Sequence, residues 1–265
     1  MLAALRFYRK PHRYVTGPAR EGLMHSGIER PRPQLAPTFY FQDQPMVDST
    51  PIIARLEQEL SVGRSLVPPD DAMAFLSRLI EDYADEWCTK MMYHYRWDLD
   101  RDQEKASMFL MLSSNPAIPP AALKQRSQFI RDRQVGRMDF VGANETTKPV
   151  IEADYVRLIT LLDLHLESGK EFLFGHRPSQ ADYGLFGQLS QLHRVENTSR
   201  EQLEALSVRV TGWLSFMTDL SGRPVLDEHW DTELAPTTKA LLQELGRHYA
   251  PFLVANAESL GRGAY

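Results

Sequence analysis

Residues 172–182 read Phe-Leu-Phe-Gly-His-Arg-Pro-Ser-Gln-Ala-Asp, and they constrain the fold more than any other stretch of the chain. Ser179 and Asp182 form the Ser-x-x-Asp pattern of a helix capping box. In such a box the serine accepts from the amide of the acid, and the acid reaches back to the serine amide. The next residues predict a buried helix that begins at Ser179, because five apolar side chains share one helical face. They are Ala181, Leu185, Phe186, Leu189 and Leu192.

A hairpin and a helix are predicted in the proline-rich first part of the chain. Thr38-Phe39-Tyr40-Phe41 is a run of β-prone residues, and a turn over 42–45 leads into Met46-Val47. The following helix has Ser49 or Thr50 as its N-cap. Upstream of the hairpin, residues 1–10 consist mainly of helix formers.

The remainder of the chain has a helical pattern almost throughout. Gly63 to Pro69 has the composition of a linker, and Asp70 caps a predicted long helix that continues through Met91. The sequence therefore predicts a small α/β module over 1–65 and an all-α domain over 66–265. Further helices are predicted at about 99–113, 120–134, 149–168, 179–193, 199–219 and 236–259.

Taken together, these motifs resemble the cytosolic glutathione transferase family. The 172–182 stretch is similar to the F-L-x-G-x-x-x-[S/T]-x-A-D signature of that family's helical domain. Ala36-Pro37 before the first hairpin strand, and Asp48-Ser49 at the start of the next helix, are similar to its glutathione-binding half. The resemblance covers most of the chain. It implies a thioredoxin-like N-terminal module followed by the all-α helical bundle of a glutathione transferase.

The resemblance also implies a ligand site. It implies that Pro37 is preceded by a cis bond and that the Ala36 backbone pairs with the cysteinyl part of glutathione. It further implies that Ser49 holds the γ-glutamyl carboxylate and that Asp48 lies near the ammonium. A helix N-terminus offers free amides and a positive dipole end to such a carboxylate. The partners implied are glutathione, a small apolar electrophile and a second copy of the chain in a homodimer. Capping alone is an alternative explanation for Ser49.

One element of the family pattern is missing from this sequence. Family members begin with a strand, followed by a loop whose Tyr, Ser or Cys interacts with the glutathione sulfur. Residues 1–10 already have the pattern of the first helix, and the resemblance then implies that residues 12–16 are the second strand. We therefore expect either that the true start lies upstream, which we favour, or that the module is rearranged. Two functions follow: a glutathione transferase, for which we expect little activity from this chain, or a non-catalytic binding or assembly module of the same fold.

Several other residues have two interpretations each. Met91 and Tyr95 end the long predicted helix, where the family binds its electrophile, so they are candidates for an adaptable apolar pocket. The alternative is that both pack in the helical core. Cys88 is predicted to be a packing residue, because it lacks the helix N-terminus or neighbouring cation that activates a thiol. Tyr8 lies within the first predicted helix and is not favoured as a thiol-activating residue.

Composition excludes several classes of function. The net charge of −5 and the lack of a long basic run argue against a nucleic-acid surface. No apolar run approaches the roughly 18 residues needed to span a membrane. The single cysteine suits a reducing cytoplasm. The histidine spacings imply no metal, and no nucleotide-binding glycine motif is present.

Overall fold

The computed structural model describes residues 1–16, 22, 27–33, 35–42, 44–60 and 63–263. The fold is mostly helical, and the sheet within these residues has two strands. The N-terminal part contains α1 (Leu2–Phe7), β1 (Thr38–Phe41), β2 (Gln44–Val47) and α2 (Ser49–Leu60). The part after residue 70 contains, in order, α3 (Asp71–Glu86), α4 (Cys88–Trp97), α5 (Asp100–Ser114), α6 (Pro120–Val135), α7 (Met138–Val141), α8 (Lys148–Glu167), α9 (Gln180–Arg194), α10 (Asn197–Leu206), α11 (Val208–Phe216), a 3₁₀ turn (Asp227–His229) and α12 (Pro236–Gly261).

The hairpin prediction is confirmed, but the upstream strand is wrong. β1 and β2 are antiparallel, with Thr38 opposite Val47 and Phe41 opposite Gln44. Residues 12–16 are irregular, and no strand in the described chain lies beside them to complete a ladder. The helix predicted over 1–10 is shorter, because Arg9 adopts a left-handed backbone conformation with φ of 54°.

Two predicted helices are each divided in the structure. The long helix is interrupted at Trp87, where the Thr89 hydroxyl donates to the Asp85 carbonyl and competes with the helical ladder. The helix predicted over 199–219 is interrupted at Ser207. This residue is extended, and its hydroxyl accepts from the Val210 amide at 2.9 Å, which starts a new helix. Apolar periodicity continues across both breaks, so it does not reveal them.

Asp182 forms the predicted capping box with Ser179 and extends it to a third group. One carboxylate oxygen accepts from the Ser179 amide at 2.8 Å and from the Ser179 hydroxyl at 2.6 Å. The other accepts from the Leu173 amide at 2.9 Å. Asp182 is 1% exposed, and this burial raises its pKa to about 6 although the hydrogen bonds oppose the rise. The cap therefore fixes both the start of α9 and the segment before it.

Residues 172–175, which we call the strap, are bonded to helices on two sides. His165 on α8 contacts the Phe172 carbonyl at 2.9 Å, and Thr238 on α12 donates to the Leu173 carbonyl at 2.8 Å. Gly175 has a φ of 127°, and a Cβ on it would lie 2.3 Å from the His229 carbonyl oxygen. Only glycine fits this crossing, which accounts for the Phe-Leu-x-Gly pattern.

Helices α3 and α9 form the centre of the helical part. They approach closely at Gly184, where a Cβ would lie 3.1 Å from the Cα of Glu81 and 3.2 Å from the Cβ of Ala84. Ile80 on α3 and Leu185 on α9 are fully buried in the same core. This close contact fixes the α3 residues that face the N-terminal part.

The predicted linker is an ordered junction between the two parts. The buried Leu66 donates its amide to Glu57 on α2 at 2.7 Å and accepts from the Gln180 amide on α9 at 3.1 Å. Arg177 donates to the Ser65 carbonyl at 2.8 Å. Arg64 also donates to backbone carbonyls on both sides, those of Phe7, Leu220 and Arg223.

We predict that Asp182→Ala lowers the free energy of unfolding by about 1–3 kcal/mol, because the buried amides of Leu173 and Ser179 lose their acceptor. Urea denaturation followed by far-UV circular dichroism measures the change. Asp71→Ala, which removes an exposed acid from the first turn of α3, is the matched control and should cost less than about 0.5 kcal/mol. Equal denaturation midpoints for the two variants would contradict the role given to Asp182.

Candidate functional site

The hairpin brings the four predicted glutathione-binding residues together. Because Thr38 pairs with Val47, the residues just outside the hairpin, Ala36-Pro37 and Asp48-Ser49, are neighbours. The Asp48 amide donates to the Pro37 carbonyl at 3.2 Å, which closes this end. The Ala36–Pro37 peptide bond is cis, as the resemblance implies.

The start of α2 differs from the prediction by one residue. Asp48, rather than Ser49 or Thr50, precedes the helix, and its carboxylate accepts from the Thr50 amide at 3.1 Å. Asp48 has a φ of 76°, a left-handed conformation that aspartate tolerates better than most residues. The half-buried Ser49 hydroxyl has no hydrogen-bond partner among the described residues. It is therefore available to a ligand at the helix N-terminus.

Two carboxylates on α3 lie behind this helix start. The Thr50 hydroxyl donates to Glu81 at 2.5 Å, and one oxygen of Asp85 lies 3.5 Å from the same hydroxyl. Glu81 is only 6% exposed, and its burial raises the pKa to about 7. Burial also raises the pKa of Asp85, and the negative charge of Asp48 adds to the rise.

The site therefore combines groups that favour an anion with groups that favour a cation. The start of α2 presents the Ser49 amide and a positive dipole end, which favour a carboxylate. The Thr50 amide is already bonded to Asp48, and Pro51 has no amide hydrogen. Asp48 and Asp85 are acceptors that favour an ammonium group. Glu81 and Asp85 were not predicted as site residues from the sequence, and Thr50 was predicted only as a possible N-cap. The spacing of the two acids, four residues apart on one face of a helix, was the available signal.

Met91 and Tyr95 lie in the helical core. Met91 is fully buried, and Tyr95 is 3% exposed. The Tyr95 hydroxyl donates to Gln202 at 2.7 Å, and its ring centroid is 4.9 Å from that of Tyr155. These contacts fit the packing interpretation of both residues, and neither lines the small cavity described below.

Cys88 and Tyr8 are both buried and occupied. Cys88 is the first residue of α4 rather than a mid-helix residue, but it is fully buried, and burial raises the pKa of its thiol. The Tyr8 hydroxyl donates to Glu57 on α2. Burial, followed by the neighbouring Glu57 charge, raises the pKa of Tyr8 as well. In this arrangement neither group offers a free proton or a thiolate to a ligand.

A small cavity lies between α3, α8 and α12. Its volume is about 10 Å³, enough for a single water molecule. Asp154 is one of the residues that line it, and its carboxylate accepts from Trp87 at 2.9 Å and from Arg157, while His248 contacts it at 3.0 Å. Its size and its internal pairing indicate a structural role.

Comparison with known proteins gives no identification. No protein-family model matches the chain, and no curated protein and no solved structure gives a significant match. Within the described residues, no helix is long and apolar enough to cross a membrane. The same residues contain no cluster of three or more side chains suited to a metal ion.

We predict that Glu81 makes stability depend on pH. Folding raises its pKa from an ordinary value of 4.5 to about 7, so the folded state binds the proton more tightly. The resulting stabilisation is complete below about pH 4.5 and is lost as the pH rises through about 7. Between about pH 5 and 8, the free energy of unfolding of the wild type should fall by more than about 1 kcal/mol relative to Glu81→Gln.

Urea denaturation at the two pH values provides the measurement. Glu86→Gln, on the same helix but exposed, is the control and should follow the wild type. Parallel pH profiles for the wild type and Glu81→Gln would show that the buried acid does not titrate in this range.

Proposed function

We propose that this chain is a glutathione transferase-like protein that binds glutathione at the start of α2. The observation that carries the proposal is the grouping of Ala36, Pro37, Asp48 and Ser49 at one end of the hairpin, with the Ser49 hydroxyl unpartnered among the described residues. The finer fold assignment, a thioredoxin-like module joined to a transferase helical bundle, is part of the same proposal.

The γ-glutamyl group of glutathione suits the charges of this site. Its carboxylate would accept from the hydroxyl and the backbone amide of Ser49 at the positive end of the helix dipole. Its ammonium would lie toward Asp48 and Asp85, which are close enough for the Asp48 charge to raise the pKa of Asp85. The exposed Ala36 backbone supplies the donor and acceptor for the cysteinyl part.

A specific observation favours the second function, a non-catalytic binding or assembly module of the same fold. Transferase chemistry requires a donor that stabilises the glutathione thiolate. Tyr8 gives its hydroxyl hydrogen to Glu57, and the Cys88 thiol is buried in the core. Conjugation to a small apolar electrophile, and a homodimer like those of the family, belong to the first function.

We predict that glutathione binds in isothermal titration calorimetry and that Ser49→Ala weakens or abolishes the binding, with at least an about tenfold loss of affinity. Ser113→Ala removes an exposed hydroxyl from α5 and should leave the affinity unchanged. Binding should depend on the γ-glutamyl group. γ-Glutamylcysteine should therefore compete with glutathione for the site, and cysteinylglycine should not. Equal binding of the two dipeptides would contradict the proposed orientation.

We predict little or no conjugation of glutathione to a generic aromatic electrophile by this chain. The missing hydrogen bond to the thiolate is of a kind that contributes about 1.5–3 kcal/mol. The assay follows product absorbance under saturating glutathione. Robust turnover would contradict this prediction, and Tyr8→Phe and Cys88→Ala would then test whether either residue acts after a rearrangement.

A further inference from the structure

Helices α6 and α7 carry an exposed surface that is both basic and aromatic. Residues 120–141 contain five Lys/Arg and two Asp/Glu, although the whole chain has a net charge of −5. We call the exposed part of this surface the basic face. It consists of Arg126, Phe129, Arg133, Arg137 and Phe140.

The geometry of the two helices places these side chains side by side. Arg126, Phe129 and Arg133 are spaced by three and four residues, so they lie on one side of α6. Phe129 is 66% exposed and Phe140 is 83% exposed, which is unusual for two phenylalanines so close in the chain. The Arg137 guanidinium lies 5.6 Å from the centroid of the Phe140 ring, which joins α7 to the face.

The charges of this face are not used by the fold. Arg126 and Arg133 form no ion pair or hydrogen bond with a described residue. Arg131, on the other side of α6, donates to Gln103 and to Asp100, both at 2.9 Å. Arg131 therefore bonds α6 to α5, while the exposed cations of the basic face remain available to bind a partner.

Arg133 and Arg137 also lie close to each other. Burial raises the pKa of the Tyr93 hydroxyl, and the positive charges of Arg137 and then Arg133 oppose that rise. The Tyr93 hydroxyl donates to the side chain of Gln134 at 2.9 Å, and Gln134 lies between the two arginines in the sequence. Neither guanidinium forms an ion pair with a described residue, and the neighbouring Asp132 accepts from Gln128 instead. Two cations near one point therefore give a local positive potential.

We propose that the basic face docks an acidic peptide segment of a partner protein, in which apolar residues stand between the acids. The carboxylates would pair with Arg126, Arg133 and Arg137, and the apolar side chains would cover the rings of Phe129 and Phe140. Arginine suits this role because its planar fork binds a carboxylate with two parallel hydrogen bonds.

An anionic lipid bilayer and a nucleic acid fit the basic face less well than a peptide does. A bilayer favours a continuous apolar stripe along a helix, whereas the exposed side of α6 has a single phenylalanine among polar residues. An extended nucleic acid would run beyond the basic face and meet the acidic remainder of the chain. A short peptide experiences only the charges within about 8–10 Å, which is the Debye length in physiological salt.

The test is fluorescence anisotropy of a labelled peptide of about twelve residues, built from Glu and Asp around two central Leu. The wild type should bind it, and raising NaCl from about 0.05 to about 0.5 M should weaken the binding. Arg126→Glu combined with Arg133→Glu should lower the affinity at least about tenfold, and Phe129→Ala at least about threefold. All substituted side chains are exposed, and unchanged thermal unfolding verifies that the variants are folded.

The matched control is Arg13→Glu combined with Lys239→Glu, which changes the net charge equally at exposed positions away from α6 and α7. It should change the affinity less than about twofold. Equal losses in both double variants, or no binding by the wild type, would overturn the proposal. It would also be overturned if phosphatidylserine vesicles or a single-stranded oligonucleotide bound more tightly with the same sensitivity to Arg126 and Arg133. A concentration-dependent dimer that the Arg126→Glu/Arg133→Glu variant abolishes would assign the face to a second copy instead.

Discussion

The hydrogen bonds of the Asp182 carboxylate determine the positions of the strap, of the start of α9 and, through α9, of α3. The carboxylate holds the Leu173 amide on one oxygen and the Ser179 amide and hydroxyl on the other, which sets the strap against the start of α9. Since α9 approaches α3 at Gly184, the same contact determines where Glu81 faces α2. A buried acid is costly to desolvate, and here its hydrogen bonds offset that cost. The candidate site is thus placed by a group in a different half of the molecule.

The parts of the fold that the sequence predicts are those that depend on neighbours a few residues apart. The hairpin and the capping box are of this kind, because turn residues and cap residues act locally. The ordered junction was predicted only as a linker, since its composition does not reveal that Leu66 meets Gln180. The acids behind the candidate site were missed for the same reason, because Thr50 and Glu81 are far apart in the chain. Contacts between residues far apart in the chain can be recognised only once the packing of the helices is known.

Burial has opposite consequences for the groups that could carry chemistry. For Tyr8 and Cys88 it removes reactivity, because each group is kept protonated and turned toward the protein interior. For Glu81 it brings the pKa into the physiological range and places a proton next to the start of α2. The acids near α2 and the cations of α6 give the molecule two regions of opposite sign. The first is partly enclosed and suits a small zwitterion, while the second is open and suits an extended partner.

The ordered junction also bears on how such a chain can be recombined. Arg64, Ser65 and Leu66 are bonded through their side chains or backbones to α1, α2, α9 and the loop after α11. A boundary drawn near residue 65 therefore cuts through a hydrogen-bonded surface rather than a tether. In a chimera that replaces residues 1–65 with a foreign module, Arg177 and Gln180 would face an unmatched backbone. The two parts of this protein are thus units of sequence pattern, but they are not interchangeable units of structure.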